Sequence, residues 1–376
     1  MNTKTFFRRF LPSFGLAYPT QKSEPLEQAE QPQSSNQKPA SKFSFTIFGA
    51  TCFSLLGSIG LLNWAVDPLW YHQGNQLTKK NFAFNERISK TNQFLKNGPA
   101  TYDCVILGSS RVVALNADQF EAHNCYNYSF KGGWAEDFIR AAEFIKEQGL
   151  EPEVIYVGVD EFNFVKFTDN TTNDQDFGEN ATKSPFHAYF SSNVLTFSLL
   201  TLLGMSPDSA NYYDTDFETQ EFADAPKFNP EFYPIASPQE CDLTKVERYR
   251  AIQDVFPDST IIGFVPPRAA WSVVNETYNR GILDCALEGF YRVSQIYDGM
   301  YDFSVPSEMT LNPENTYDGS HFTPASNDIV ADVLEGQSSE ASLDLTELTF
   351  SEYLEAYKTE LKQFLDAEGA TEFWQG

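Results

Sequence analysis

Basic residues are scarce in this chain: 26 Lys and Arg stand against 52 Asp and Glu, a formal net charge of −26 over 376 residues. That imbalance argues against nucleic acid, or an anionic lipid surface, as the main partner, because phosphate repels it. Histidine is rarer still. His72, His123, His187 and His321 show no ligand spacing and no Cys/His cluster accompanies them, so no metal site is expected. The chain also lacks a Walker loop and a G-x-G-x-x-G after a strand. Nucleotide binding therefore has no support, and no cofactor is expected. Of five cysteines, Cys52 falls in an apolar run and Cys104, Cys125, Cys241 and Cys285 follow it. Those four allow two disulfides in three pairings, although a domain of this size needs none. Cys104 lies inside an apolar stretch and reads as a buried small hydrophobe.

What is present begins with a membrane signal. From Phe43 to Val66 there is no charged residue, and two dozen helical residues give about 36 Å, enough to cross a hydrocarbon core of ~30 Å. Trp64 and Trp70 stand at its distal end, where amphipathic rings favour the interface. A cleaved signal peptide fits less well, since the preceding tail is long and no small-x-small site follows. Before Phe43 there are six basic and three acidic residues, and beyond it 20 and 49. Positive-inside bias predicts a cytoplasmic tail and an exported domain. Residues 1–42, rich in Pro, Gln and Ser, read as disordered; 43–66 form the transmembrane helix and 67–102 a polar juxtamembrane collar.

Beyond the collar, apolar runs alternate with helical periodicity. Strands are expected at 103–108, 125–130, 154–160, 260–265 and 300–304. Helices are expected at 116–124, 134–149, 243–256, 283–296 and 324–334. A short helix is possible at 85–97. This alternation predicts an α/β domain over 103–335 with a parallel sheet covered on both faces. Ligands then belong at the carboxyl ends of the strands. Residues 165–240 form an insertion, either a lid or packing, whose apolar stretch 194–205 is too short to span a membrane. Residues 336–376 form a helical extension.

Two motifs carry chemistry. Gly108-Ser109-Ser110-Arg111 puts serines on the turn after a buried strand, where a hydroxyl is a nucleophile if a base reaches it and otherwise an N-cap. Asp318-Gly319-Ser320-His321 places a carboxylate three residues before an imidazole, so the acid can fix the tautomer of a general base. Together these resemble the SGNH (GDSL-type) hydrolase superfamily, and the resemblance covers roughly residues 63–335. It implies a three-layer, flavodoxin-like sheet of about five parallel strands, with Ser110 as nucleophile, His321 as base and Asp318 as acid. The block Asn127-Tyr128-Ser129-Phe130-Lys131-Gly132-Gly133 matches the family's second motif. Gly132 then donates its amide to the oxyanion, with Gly133 as the alternative by a one-residue slip.

The third motif departs. The family has Gly-x-Asn, whereas this chain reads Gly158-Val159-Asp160, and a carboxylate cannot donate unless protonated. The resemblance then leaves the oxyanion to backbone groups, or to Asn163 or Arg111 as substitutes. Arg111 is either a binder of carboxylate or phosphate or an ion-pair partner; Arg268 reads as the latter. With its anchor, the chain is similar to SGNH-like proteins of bacterial envelope modification, such as those of teichoic acid D-alanylation and exopolysaccharide O-acetylation. That likeness implies an acyltransferase or esterase acting on cell-envelope carbohydrate or its acyl donor, beside a membrane-bound O-acyltransferase. The alternative is a non-catalytic accessory subunit of such an enzyme, or a glycan-binding envelope protein. A third possibility is a tethered lipase or thioesterase.

Overall fold

The computed structural model describes residues 42–82, 84–166, 185–233 and 237–374. The expected tail, and residues 167–184 of the insertion, lie outside the described residues. The chain divides into two units, Met1–Thr51 and Cys52–Gly376. Helix α1 (Lys42–Val66) contains the segment Phe45–Val66, 22 residues that are long and apolar enough to cross a membrane. Phe45, Phe48, Phe53 and Leu61 stand exposed along it.

Everything after α1 belongs to the second unit. The strands are β1 (Cys104–Leu107), β2 (Cys125–Asn127), β3 (Val154–Gly158), β4 (Asn211–Tyr213), β5 (Thr219–Glu221), β6 (Thr260–Val265), β7 (Gly299–Asp302) and β8 (Leu343–Asp344). The main sheet has the order β2-β1-β3-β6-β7-β8. Its first five strands are parallel, and β8 closes the edge antiparallel to β7. Numbered by themselves, the parallel strands run 2-1-3-4-5, the doubly wound order. The sixth strand, two residues within the C-terminal segment, is too short to leave a periodic signal. β4 and β5 form a separate hairpin.

The helices that follow α1 are α2 (Glu86–Asn97), α3 (Ala135–Glu147), α4 (Pro185–Tyr189), α5 (Ser192–Leu202), α6 (Glu247–Val255), α7 (Ala270–Val273), α8 (Leu283–Ser294), α9 (Pro324–Leu334) and α10 (Phe350–Ala367). The helix expected at 116–124 reduces to a 3₁₀ turn at Ala117–Gln119. There Asn116 and Gln119 close a capping box, and the rest of the segment bends into β2.

Strand alternation sorts the core onto two faces. Val105, Leu107, Ile155, Val157, Ile261 and Val265 point to one side, where α3, α6, α8 and α10 bury their apolar stripes. On α10 that stripe is Tyr353, Tyr357, Leu361, Phe364 and Leu365. Leu361, Phe364 and Leu365 each contribute about 1.5–3 kcal/mol on burial, which helps to hold the C-terminal segment against the domain. Cys104, Ile106, Val154, Tyr156 and Phe264 face the other side, covered by Val330, Ala331, Val333 and Leu334 of α9.

The cysteine reading needs correction. Cys104 is bonded to Cys125 and Cys241 to Cys285, leaving Cys52 free. Cys104 and Cys125 are register partners on adjacent parallel strands, a contact that sequence spacing cannot disclose. The second bridge ties the end of the insertion to α8.

Candidate active site

The three motif loops meet at the carboxyl end of the sheet. β1 ends at Leu107 and Ser110 follows on the turn. The Asp318–His321 loop comes just before α9, whose N-cap is Thr323 and whose first residue is Pro324. Although 211 residues separate them, His321 Nε2 lies 2.9 Å from Ser110 Oγ. On the other side of the ring, His321 Nδ1 lies 2.8 Å from Asp318 Oδ2. The carboxylate accepts a hydrogen bond from Nδ1–H, which leaves Nε2 to accept one from the Ser110 hydroxyl.

The loop that holds the imidazole is itself fixed. Asp318 Oδ1 accepts the amides of Ser320 and His321, both at 2.9 Å. The Tyr317 amide (3.0 Å) and the Thr316 hydroxyl (2.8 Å) both donate to the His321 carbonyl. Gly319 has φ +88°, and a Cβ there would lie 2.2 Å from Ser272 Oγ, so both the conformation and the space demand glycine. Burial opposes ionisation of Asp318, but the hydrogen bond and charge of His321 and the two amides hold its pKa down at about 2.

The oxyanion candidates separate. Gly132 has φ +67° and borders the same cleft as Ser110 and His321. The Gly133 amide instead donates to the Phe130 carbonyl at 3.2 Å. A Cβ on Gly133 would lie 2.9 Å from Phe138 and 3.1 Å from the Gly108 carbonyl; its glycine serves packing. Among the described residues, neither the Ser110 nor the Gly132 amide donates to a protein group.

The proposed substitutes for the missing asparagine are engaged elsewhere. Asn163 is wholly buried, and its Oδ1 accepts the Ala135 amide at 3.1 Å, capping the first turn of α3. Asp160 is wholly buried too, 2.9 Å from Arg111 Nη1. Burial raises its pKa, opposed chiefly by Arg111. Arg111 borders the cleft, yet its guanidinium is consumed by Asp160 and by a two-pronged contact with Glu161. Arg268 reaches the same Glu161 at 3.0 Å and Glu276 at 2.7 Å. Burial pushes the pKa of Glu161 up, but Arg111 and Arg268 bring it down to about 2. The result is a buried ion-pair chain running from the residue after Ser110 to the turn after α7. Arg111 is thus held by carboxylates, and neither Asp160 nor Asn163, whose Nδ2 is buried without a partner among the described residues, borders the cleft.

The cleft has a volume of about 490 Å³ and is bordered by Ser110, Lys131, Gly132, Asp208, Tyr317 and His321. Lys131, Asp208 and Tyr317 were not singled out from sequence. Lys131 Nζ lies 2.6 Å from Asp208 Oδ2 across the cleft wall. Burial resists ionisation of Asp208, but Lys131 and the more distant His321 lower its pKa. Lys131 neighbours Gly132 within a motif, which could have flagged it. Asp208 lies in the insertion, where no pattern links it to Ser110. Residues 208–211 and Pro226 of the insertion form one wall, and Tyr317 donates to Glu221 of β5 at 3.1 Å.

No known protein family matches the chain by sequence, and no curated protein does either. Among solved structures, a candidate acylhydrolase from Bacteroides fragilis NCTC 9343 overlaps 62% of this chain and 84% of its own, at 14% identity and a TM-score of 0.29. A GDSL-like lipase from Bacteroides thetaiotaomicron VPI-5482 overlaps 65% of this chain and 96% of its own, at 12% identity and a TM-score of 0.34. At such scores the likeness decides nothing about activity, which rests on the side-chain geometry.

Proposed function

We propose that this chain is an SGNH-like serine acyltransferase or esterase, held at the membrane by α1 and acting on acyl groups of cell-surface carbohydrate. The observation that carries the reading is the continuous hydrogen-bonded series Asp318–His321–Ser110. Its parts have the distances and order that nucleophilic acyl transfer requires. His321 Nε2 takes the Ser110 proton as Oγ attacks the acyl carbonyl. The amides of Ser110 and Gly132 receive the developing oxyanion. The protonated imidazole then gives its proton to the departing alkoxide, leaving an acyl-serine. A sugar hydroxyl or water, deprotonated by His321, attacks that ester and Ser110 recovers its proton. Asp318 holds the ring and stabilises the imidazolium throughout.

The location has independent support. Two disulfides suit an oxidising compartment, in keeping with a cytoplasmic N-terminus and a domain on the far side. A membrane-bound O-acyltransferase is the proposed source of acyl groups. The rival, a non-catalytic accessory subunit, is favoured by one observation: Asp160 replaces a donor, so one oxyanion contact is missing. Incubating the full-length protein with p-nitrophenyl acetate and a soluble oligosaccharide separates these readings. Acyl-oligosaccharide formed by wild type but not by Ser110→Ala supports transfer; p-nitrophenol release alone supports an esterase. Turnover equal to that of Ser110→Ala would favour the accessory role.

A further inference from the structure

The unit carries a second apolar surface beside α1. α4 (PFHAY) and α5 (SNVLTFSLLTL) contain no Asp, Glu, Lys or Arg. α5 is inside out: its buried stripe is Val194, Ser198 and Thr201, while Leu199 and Leu202 face outward. Leu203 and Met205, just past its end, are 72% and 54% exposed, and Phe186 of α4 is 72% exposed. A surface helix in water turns its polar residues outward. Here Ser198 and Thr201 face in while Leu199 and Leu202 face out; Ser192 and Thr196 are exposed.

This surface is continuous with the membrane helix. Asn63 of α1, wholly buried, donates to the carbonyls of Tyr189 at 2.7 Å and Ser191 at 3.3 Å. Its Oδ1 accepts the Ser198 hydroxyl at 2.9 Å. One turn earlier, a Cβ on Gly60 would lie 2.8 Å from the Phe190 ring. Asn63 and Gly60 stand about 5 and 9 Å below the end of α1 by helical rise. That is the depth at which a spanning helix leaves hydrocarbon for headgroups, and the half-exposed Trp64 sits there as interfacial rings do.

We infer that α4 and α5 lie in the boundary layer of the bilayer beside α1, with Phe186, Leu199, Leu203 and Met205 among the acyl chains. Lipid is the occupant because the patch continues the lipid-facing side of α1, carries no charge, and at eleven residues in α5 is too short to span. Only two residues separate Met205 from Asp208, which borders the cleft. The bilayer therefore holds one cleft wall at the membrane surface and favours acyl or carbohydrate substrates linked to lipid. The inference rests on α1 spanning the membrane, and the experiment tests the two separately.

Nitroxide labels are placed on the full-length protein carrying Cys52→Ala, reconstituted in phosphatidylcholine vesicles. The positions are Leu199→Cys, Leu203→Cys and Met205→Cys, with Leu56→Cys on α1 as the lipid reference and Glu355→Cys on exposed α10 as the water reference. Power saturation then compares collision with oxygen and with a water-soluble nickel chelate. The expected oxygen-to-nickel ratio at the three α5 positions is several-fold above that at Glu355→Cys and close to that at Leu56→Cys. Ratios equal to the water reference, with Leu56→Cys still in lipid, overturn the inference and leave the spanning helix intact. A water-exposed Leu56→Cys overturns both. Labels shielded from both reagents mean a protein covers the patch, which also overturns it.

Discussion

The guanidinium of Arg111 grips the Glu161 carboxylate through two contacts, Nη1 to Oε2 at 2.6 Å and Nη2 to Oε1 at 3.1 Å. Arg268 holds the same carboxylate. A cation directly after Ser110 is thus part of the support beneath the turn and is not free to meet an anionic substrate. Removing it leaves the buried Asp160 without its cation and Glu161 with Arg268 alone, at a cost of roughly 3–5 kcal/mol. Arg111→Ala is expected to lower the denaturation midpoint of the full-length protein in detergent. Arg111→Lys, which keeps the charge but loses the fork, should fall between it and wild type.

The same chain sets an acid response. Glu161 titrates at about 2 in the folded protein, below its ordinary 4.5. A depressed folded pKa gives stability that is complete above 4.5 and lost as pH falls towards about 2. Asp160, whose pKa is raised, opposes part of this. Unfolding measured across that window should show a shallower loss in Glu161→Gln than in wild type. Equal slopes would show that Glu161 is not held ionised by its arginines.

Gly132 and Gly133 should respond differently. At Gly133 an added methyl meets Phe138 and the Gly108 carbonyl, and overpacking of this kind costs about 1–3 kcal/mol. Gly133→Ala is therefore expected to lower the melting temperature. Gly132→Ala has open space around its Cβ but a left-handed φ. It should cost about 1–2 kcal/mol of backbone strain while reducing acyl-enzyme formation more than Gly133→Ala does.

The disulfides offer a stability test with a built-in comparison. Cys241–Cys285 closes a separation of 44 residues and Cys104–Cys125 one of 21. In the chain-entropy account each contributes about 2–4 kcal/mol, the longer loop slightly more. Paired Cys→Ala substitutions, followed by chemical unfolding, should show both losses. Unchanged stability in both would remove the disulfides from the domain's support.

Much of the architecture was legible because parallel strands buried on both faces read as short apolar runs, such as CVIL and VIYVG. α3 and α9 announced themselves by their apolar period at 134–149 and 324–334. The pairing of Ser110 with His321 was legible only as two motifs, since nothing in either states that residues 211 positions apart come within 2.9 Å. Asn163 suits an oxyanion site by type, yet it is wholly buried with its Oδ1 on the first turn of α3; of the two readings open for Arg111, the ion pair is the one observed. Asp208 and the Cys104–Cys125 bridge are products of tertiary register and leave no local trace.

The reactivity of Ser110 tests the central claim most directly. Full-length protein in detergent is treated with a fluorophosphonate probe, alongside Ser110→Ala, Ser109→Ala, His321→Ala and Asp318→Asn. Wild type and Ser109→Ala are expected to label. Ser110→Ala should not label at all, and His321→Ala should fall to background. Asp318→Asn, which unsettles the imidazole tautomer, should label about 10⁴ times more slowly. A folded wild type that does not label, or labelling that persists in Ser110→Ala, would contradict the account.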